Sequence, residues 1–236
     1  MRKAIFLLAA FIVILVSAQA MLAGERFQAS LNFLLANAQN DFRMNVGRTF
    51  YGLSGEFFYQ LPKSPVSFGV SLEYLEYGSE TRVEPFSHDI PDVLVDVTTR
   101  NSVLTPAAVV RFSPVEGLIR PYVEVLAGFN YMFTYTSVHD DSGWSGDIAT
   151  TTNFDDWTFT YGAGAGVVVR ALDVRSQQGR TLFSLQMEVG LRYSKGNTAE
   201  YLTEGSTRTG PGHYHSEPLV SSTDLLKARF GLVFRF

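Results

Sequence analysis

From Leu226 to the last residue every even position is apolar: Leu226, Ala228, Phe230, Leu232, Phe234 and Phe236. Between them stand Lys227, Arg229, Gly231, Val233 and Arg235. A period of two belongs to a strand whose faces meet different surroundings. Here one face is apolar and the other strongly cationic. The final strand, Thr223 to Phe236, is the cleanest of eight segments that share this period.

The other seven run Glu25–Leu35, Arg48–Leu61, Val66–Gly78, Thr99–Phe112, Arg120–Thr136, Asp156–Arg170 and Thr181–Ser194. The first puts Phe27, Ala29, Leu31, Phe33 and Leu35 opposite Arg26, Gln28, Ser30 and Asn32. The sixth sets Trp157, Phe159, Tyr161, Ala163 and Ala165 against Thr158, Thr160, Gly162, Gly164 and Gly166. Those glycines alternate along a strand face and no lysine follows them, so they are not a phosphate loop. The fourth segment is the least regular. Pro106 sits within it on the apolar side and has no N–H for a ladder, which predicts a bulge or a different register there.

Connections alternate in length. Pro62–Pro65, Ser113–Ile119 and Ala171–Arg180 are short; Ala36–Gly47, Ser79–Thr98, Ser137–Asp155 and Lys195–Ser222 are longer and mostly polar. An antiparallel up-and-down barrel with one end elaborated has this form. Eleven residues at ~3.3 Å each, tilted ~45°, rise about 25 Å, the height of a membrane barrel's apolar band.

The start of the chain reads as a secretory leader. Arg2 and Lys3 precede the apolar run Ala4–Val16, and Ala18-Gln19-Ala20 is an A-x-A cleavage site. We expect residues 1–20 to be a signal peptide cleaved after Ala20 and residues 21–236 to form one barrel domain. Loss of Arg2 and Lys3 leaves 17 basic residues against 23 acidic ones and takes the net charge from −4 to −6. That balance argues against nucleic acid as a partner. The absence of cysteine removes disulfides and thiolate chemistry.

Leader, eight alternating strands and terminal Phe236 together resemble the eight-stranded outer-membrane barrels typified by the OmpA transmembrane domain and OmpX. The resemblance implies an all-β, eight-stranded antiparallel up-and-down transmembrane barrel in the bacterial outer membrane of a Gram-negative cell envelope. It implies outer-membrane lipids and lipopolysaccharide as surroundings, and recognition by the barrel-assembly machinery through the strand ending at Phe236. A monomer is expected. OmpA-like proteins often carry a peptidoglycan-binding domain after the barrel; this sequence has none, so no wall anchor is implied. A soluble barrel of the lipocalin kind would reverse the faces, with the crowded Phe, Tyr and Leu side chains inside.

With the apolar faces toward lipid, Glu56, Glu73, Glu124, Glu188, Arg111, Arg192, Lys227 and Arg229 point into the lumen. Eight strands leave an interior only wide enough for side chains. We therefore expect these eight to form a structural charge network that plugs the barrel. Arg26, Arg111, Arg120, Arg170 and Arg235 are expected near one mouth, within reach of water.

No cofactor is expected. All four histidines, His88, His139, His213 and His215, fall in the longer connections. His213 and His215, with His139, Asp140 or Asp141, are the residue types for a divalent metal, but solvated loop histidines explain them as well. Ser87-His88 and His215-Ser216 offer serine–histidine pairs for acyl transfer, without an evident orienting acid. Asp140, Asp141, Asp147, Asp155 and Asp156 make one connection acidic, in no recognisable calcium-loop spacing. Ile90, Val93, Leu94, Val95 and Val97 suggest a strand extension or a docking surface. The expected function is structural, or binding and adhesion through the loops. The alternatives are a lipid-modifying barrel enzyme and a narrow pore for ions or small solutes.

Overall fold

The computed structural model describes residues 26–47, 49–87, 90–139, 149–175, 181–210 and 213–236. The expected leader, its cleavage site at Ala20 and the expected first mature residue, Met21, lie outside them. Eight strands close a barrel: β1 (Phe27–Ala38), β2 (Thr49–Gln60), β3 (Val66–Ser87), β4 (Ile90–Phe112), β5 (Ile119–His139), β6 (Ala149–Arg175), β7 (Thr181–Gly196) and β12 (Leu225–Arg235). Every neighbour pair is antiparallel, and β1 meets β12 from Gln28↔Arg235 to Ala38↔Leu225. At that seam Phe27 and Phe236 each donate a backbone N–H to the other's carbonyl at 2.9 Å.

The parity of the sequence settles which face looks out. Leu31, Phe33, Leu53, Phe68, Val70, Val123, Val125, Phe129, Trp157, Leu191 and Phe230 are exposed on the outer wall. Gln28, Ser30, Asn32, Ser54, Ser71, Thr105 and Asn130 are buried within. This is the inverse of a water-soluble barrel. Among the described residues no helix is long and apolar enough to cross a membrane, a statement about helices alone.

Three strands, β3, β4 and β6, run well past their expected ends, and β5 exceeds its own by one residue at the turn end and three at the other. β3 has 22 residues, β4 23, β5 21 and β6 27, whereas β1, β2 and β12 have 12, 12 and 11. Most of the expected connection Ser79–Thr98 is ladder, from Ser79↔Arg100 to Ser87↔Ile90. Above the apolar band neither face of a strand meets lipid, so the alternation of hydrophobicity fades while the backbone pairing continues. Tyr77 also bulges between Glu76↔Ser102 and Gly78↔Asn101, which shifts the phase of β3. At the opposite end β6 and β7 continue past the bulge at Ala171 as far as Arg175↔Thr181, so the short connection expected from Ala171 is partly strand.

Pro106 produces neither of the two outcomes expected for it. Pairing with β3 passes through Leu72↔Pro106 unbroken. On the β5 side the ladder skips from Leu104↔Tyr131 to Ala107↔Gly128, and the two pairs keep one register. The missing donor is thus absorbed by a two-residue gap without a bulge.

The long connections carry structure of their own. The first holds a short helix, α1 (Asn40–Asn45). The last holds β8 (Thr198–Tyr201) paired with β11 (Leu219–Ser222), and β9 (Thr207–Gly210) paired with β10 (His213–Ser216).

Candidate functional site: the filled lumen

Inward parity turns one or two charged residues from each of six strands into the lumen, where their side chains meet in one cluster. β2 brings Glu56, β3 Glu73, β4 Arg111, β5 Glu124, β7 Glu188 and Arg192, and β12 Lys227 and Arg229. All eight are buried, and four carboxylates meet four cations. Arg192 Nη2 lies 2.7 Å from Glu56 Oε1 and 2.6 Å from Glu124 Oε1, and its Nη1 bonds Glu73. Arg229 pairs with Glu56 and, at 2.6 Å, with Glu188. Lys227 Nζ reaches the second oxygen of Glu73.

Arg111 departs from expectation. Its backbone lies near the turn end, but its guanidinium points inward to Glu56 (3.1 Å), Glu124 (2.9 Å) and Glu188 (3.1 Å). It is also held between the rings of Phe58 and Tyr122, each 4.2 Å from the guanidinium carbon. Arg120 and Arg235 are buried too, Arg120 on Gln186 and Arg235 on the carbonyl of Val115. Long flexible stems let these groups follow carboxylates and carbonyls inward when their Cα atoms sit at the mouth. Only Arg26 and Arg170 of the expected five retain the access to water assigned to them: Arg26 is exposed, and Arg170 is half-buried beside Asp173 at 3.5 Å.

Tyr122 is a member that parity places but charge does not reveal. Its hydroxyl donates to Glu188 Oε1 at 2.6 Å and accepts from Arg229 Nη2 at 2.7 Å. The ring crosses Gly166 and Gly190, and a side chain at either position would collide with its hydroxyl. The glycine face of β6 is room for neighbours; Gly164 gives Glu124 its space in the same way.

The charged layer is enclosed. Phe58, Tyr122 and Val233 lie on the turn side of the charges of their own strands, whereas Ala107, Val109 and Leu126 lie on the loop side of Arg111 and Glu124. Toward the loop end comes a neutral polar tier, with Thr105 donating to Asn130 at 2.9 Å and Asn32 donating to Ser54 at 3.2 Å. Above it the connections fold inward as a cap. Phe42 of α1 is fully buried, edge-on to Tyr201 with centroids 5.0 Å apart and against Phe50 and Tyr77. Buried Asp224 clasps the cap. Its carboxylate accepts from Asn40 (2.6 Å), the Tyr193 phenol (3.2 Å) and the Gly196 amide (3.1 Å), and its carbonyl accepts from the Gln39 amide.

Most of the loop candidates fall outside what is described. His139 ends β5, and His213 and His215 lie in β10, but their side chains, and all of His88, Asp140, Asp141 and Asp147, lie outside the described residues, as do the side chains of Ser87 and Ser216. Asp156 is engaged locally, accepting from the Trp157 and Glu200 amides at 2.8 Å each. The exposed edge of β3 is covered by the last connection: Ser79 N donates to Glu204, and Gly205 N donates to Glu80 at 3.1 Å.

Glu80 makes that edge contact sensitive to acid. Its hydrogen bond from Arg82 holds its carboxyl below the ordinary 4.5. A depressed carboxyl contributes in full above its unfolded value and loses its contribution as pH falls through the folded one. Hydrogen-exchange protection at Gly205 should therefore hold at pH 6 and drop below about pH 4. Protection unchanged down to pH 3 would show that Glu80 does not anchor the turn.

The family model for the outer membrane protein beta-barrel domain matches residues 6–207. The chain belongs to that family. Membership places this outer-membrane barrel in a bacterial outer membrane, where short turns face the periplasm and long connections face outward. No curated sequence is similar enough to this outer membrane barrel to match it. Solved structures do. Neisserial surface protein A is 13% identical, covering 89% of this chain and 95% of its own at a TM-score of 0.41. Ail of Yersinia pestis, solved with the heparin analogue sucrose octasulfate, is 12% identical over 90% and 100% at 0.38. OprG of Pseudomonas aeruginosa is 13% identical over 90% and 98% at 0.37.

Proposed function

We propose that this outer-membrane barrel neither conducts nor catalyses, and that its work is done by the parts standing outside the membrane. The observation that carries the reading is the filling of the lumen. Glu56, Glu73, Glu124 and Glu188 are each held by cations, and a buried apolar cluster around Leu34, Phe42, Phe50 and Leu75 closes the loop side of the charged layer. Paired charges in a dry interior are costly to rehydrate, so an ion passing through would have to break them. The eight charges then have a structural role, fixing which strands face one another across the lumen. Binding or adhesion falls to the tall wall of β3–β6 and the connections around it, since loops on a rigid scaffold are where recognition concentrates. The leader is cleaved after Ala20, the protein works as a monomer, and the strand ending at Phe236 is what the assembly machinery reads. In planar bilayers the purified protein should show no unitary conductance and, on lipopolysaccharide or phospholipid, no hydrolysis or acyl transfer. Discrete conductance steps from a folded sample would overturn the plug, and product formation would overturn the non-catalytic reading.

A further inference from the structure

We propose that the lipid-facing seam between β4 and β5 seats a β-hydroxyacyl chain of an outer-leaflet glycolipid, its hydroxyl donating to the Phe129 carbonyl and its methylenes lying over Ala108 and Ala127. The inference rests on the expectation that lipopolysaccharide surrounds the barrel. The seat comes from what Pro106 removes. β4 and β5 keep Leu104↔Tyr131 and Ala107↔Gly128 and lose the two pairs between them, Thr105 with Asn130 and Pro106 with Phe129. In an antiparallel ladder one of two successive pairs exchanges both of its N–H···O bonds and the other exchanges none. Were Pro106 at the position that exchanges none, Thr105 and Asn130 would still exchange theirs. Both pairs are lost, so the Pro106 nitrogen faces β5, where an N–H would have met the Phe129 carbonyl. Pairing on the other edge, Leu72↔Pro106, needs nothing from that nitrogen and is intact.

The Phe129 carbonyl is thereby left without its ladder donor, a costly state for a backbone group in hydrocarbon. A break of this kind in an otherwise regular wall is expected at a functional position. Access to it is from the lipid side. Behind the gap a side chain at Gly128 would collide with the Pro106 carbonyl and with Ala107, so the two backbones are pressed together there. The Thr105 hydroxyl donates to Asn130 at 2.9 Å, and Asn130 donates to Thr223 at 3.0 Å. On the outer face the Phe129 ring leans toward β6, edge-on to Phe159 with centroids 5.8 Å apart. It therefore leaves the seam uncovered. Below it the exposed pair Ala108↔Ala127 makes a shallow trough, with Val70 on one side and Tyr161 on the other.

Height and direction fit a chain of the outer leaflet. Phe129 lies nine residues beyond Arg120 at the turn end, about 21 Å up a tilted strand. A chain hanging from the outer headgroups runs down the wall from Phe129 toward Val110↔Val125, the line along which the trough opens. The hydroxyl of a β-hydroxyacyl chain lies just below its headgroup and is a donor already inside hydrocarbon. Ordinary phospholipid chains bring only ester oxygens to that depth, which accept hydrogen bonds and cannot satisfy a carbonyl.

The test uses the full chain in bilayer nanodiscs. They contain lipid A, a synthetic lipid A whose chains lack the β-hydroxyls, or phosphatidylglycerol. Retained lipid is counted by native mass spectrometry after transfer to detergent. The wild type should retain hydroxylated lipid A about tenfold better than the deoxy form. Pro106→Ala returns an N–H to the ladder, so it should fold at least as well, protect its new amide from hydrogen exchange and retain both forms alike. Ala108→Leu, which fills the trough from the lipid side, should lower retention of the hydroxylated form to that of the deoxy form. Retention of neither lipid A over phosphatidylglycerol by the wild type would overturn the glycolipid itself. Lipid A favoured with both forms retained alike, or a hydroxyl preference that survives in Pro106→Ala, would overturn this seat and leave the surroundings standing.

Discussion

Arg192→Met should lower the stability of the barrel by about 3–5 kcal/mol, the cost of leaving buried carboxylates without their cation. Arg192 is fully buried and touches three carboxylates, Glu56, Glu73 and Glu124, and the Ser71 hydroxyl. Without it four carboxylates share three cations. Urea unfolding in lipid bilayers, followed by tryptophan fluorescence, measures the loss. The same physics gives a contrast. Removing Glu73 and Lys227 together, as Glu73→Leu with Lys227→Met, should cost less than either change alone, because no charge is left over. An Arg192→Met protein as stable as wild type would mean that water already fills the layer and that no dry lattice exists.

Phe42→Ala should open the outward cap while the ladder below survives. Truncating a fully buried Phe typically costs about 3–5 kcal/mol, and this ring is the hub on which Tyr201, Tyr77 and Phe50 meet. The cap is not part of the barrel's hydrogen-bond ladder, so the loss should be local. Exchange of amides in α1 and β8 should rise steeply, with those of β1 and β12 unchanged. If the whole barrel melts with the cap, α1 is integral to the fold and not an addition to it.

How much of this was legible depends on where a residue sits relative to lipid. Within the apolar band each strand has one face in hydrocarbon and one in the lumen, so the alternation in Leu226–Phe236 or Phe27–Leu35 reads directly as strand and as orientation. Above the band the contrast vanishes. Ser79, Thr81 and Thr98 form ladder pairs with no apolar partner face to announce them, and the bulge at Tyr77 breaks the phase. Inward placement of Glu56 or Arg229 follows from parity alone. Their partners do not, because Glu56 and Arg229 lie on strands separated by β1, and only closure brings them together. Arg111 shows the same limit: a Cα at the mouth says little about where a long side chain ends. The cap left the faintest trace, since Phe42 and Tyr201 are single aromatic residues in polar connections and carry no period.

The seam between β1 and β12 has a consequence for how this molecule comes into being. Its pairs join the earliest strand to the latest, so two open edges persist until the final segment is available. No partial barrel can shelter its amides from hydrocarbon, and each unsatisfied group there costs several kcal/mol. The edges of β1 and β12 have to find each other before the wall is sealed, so pairs as far apart in sequence as Gln28 and Arg235 set the moment at which the barrel can stand alone in hydrocarbon.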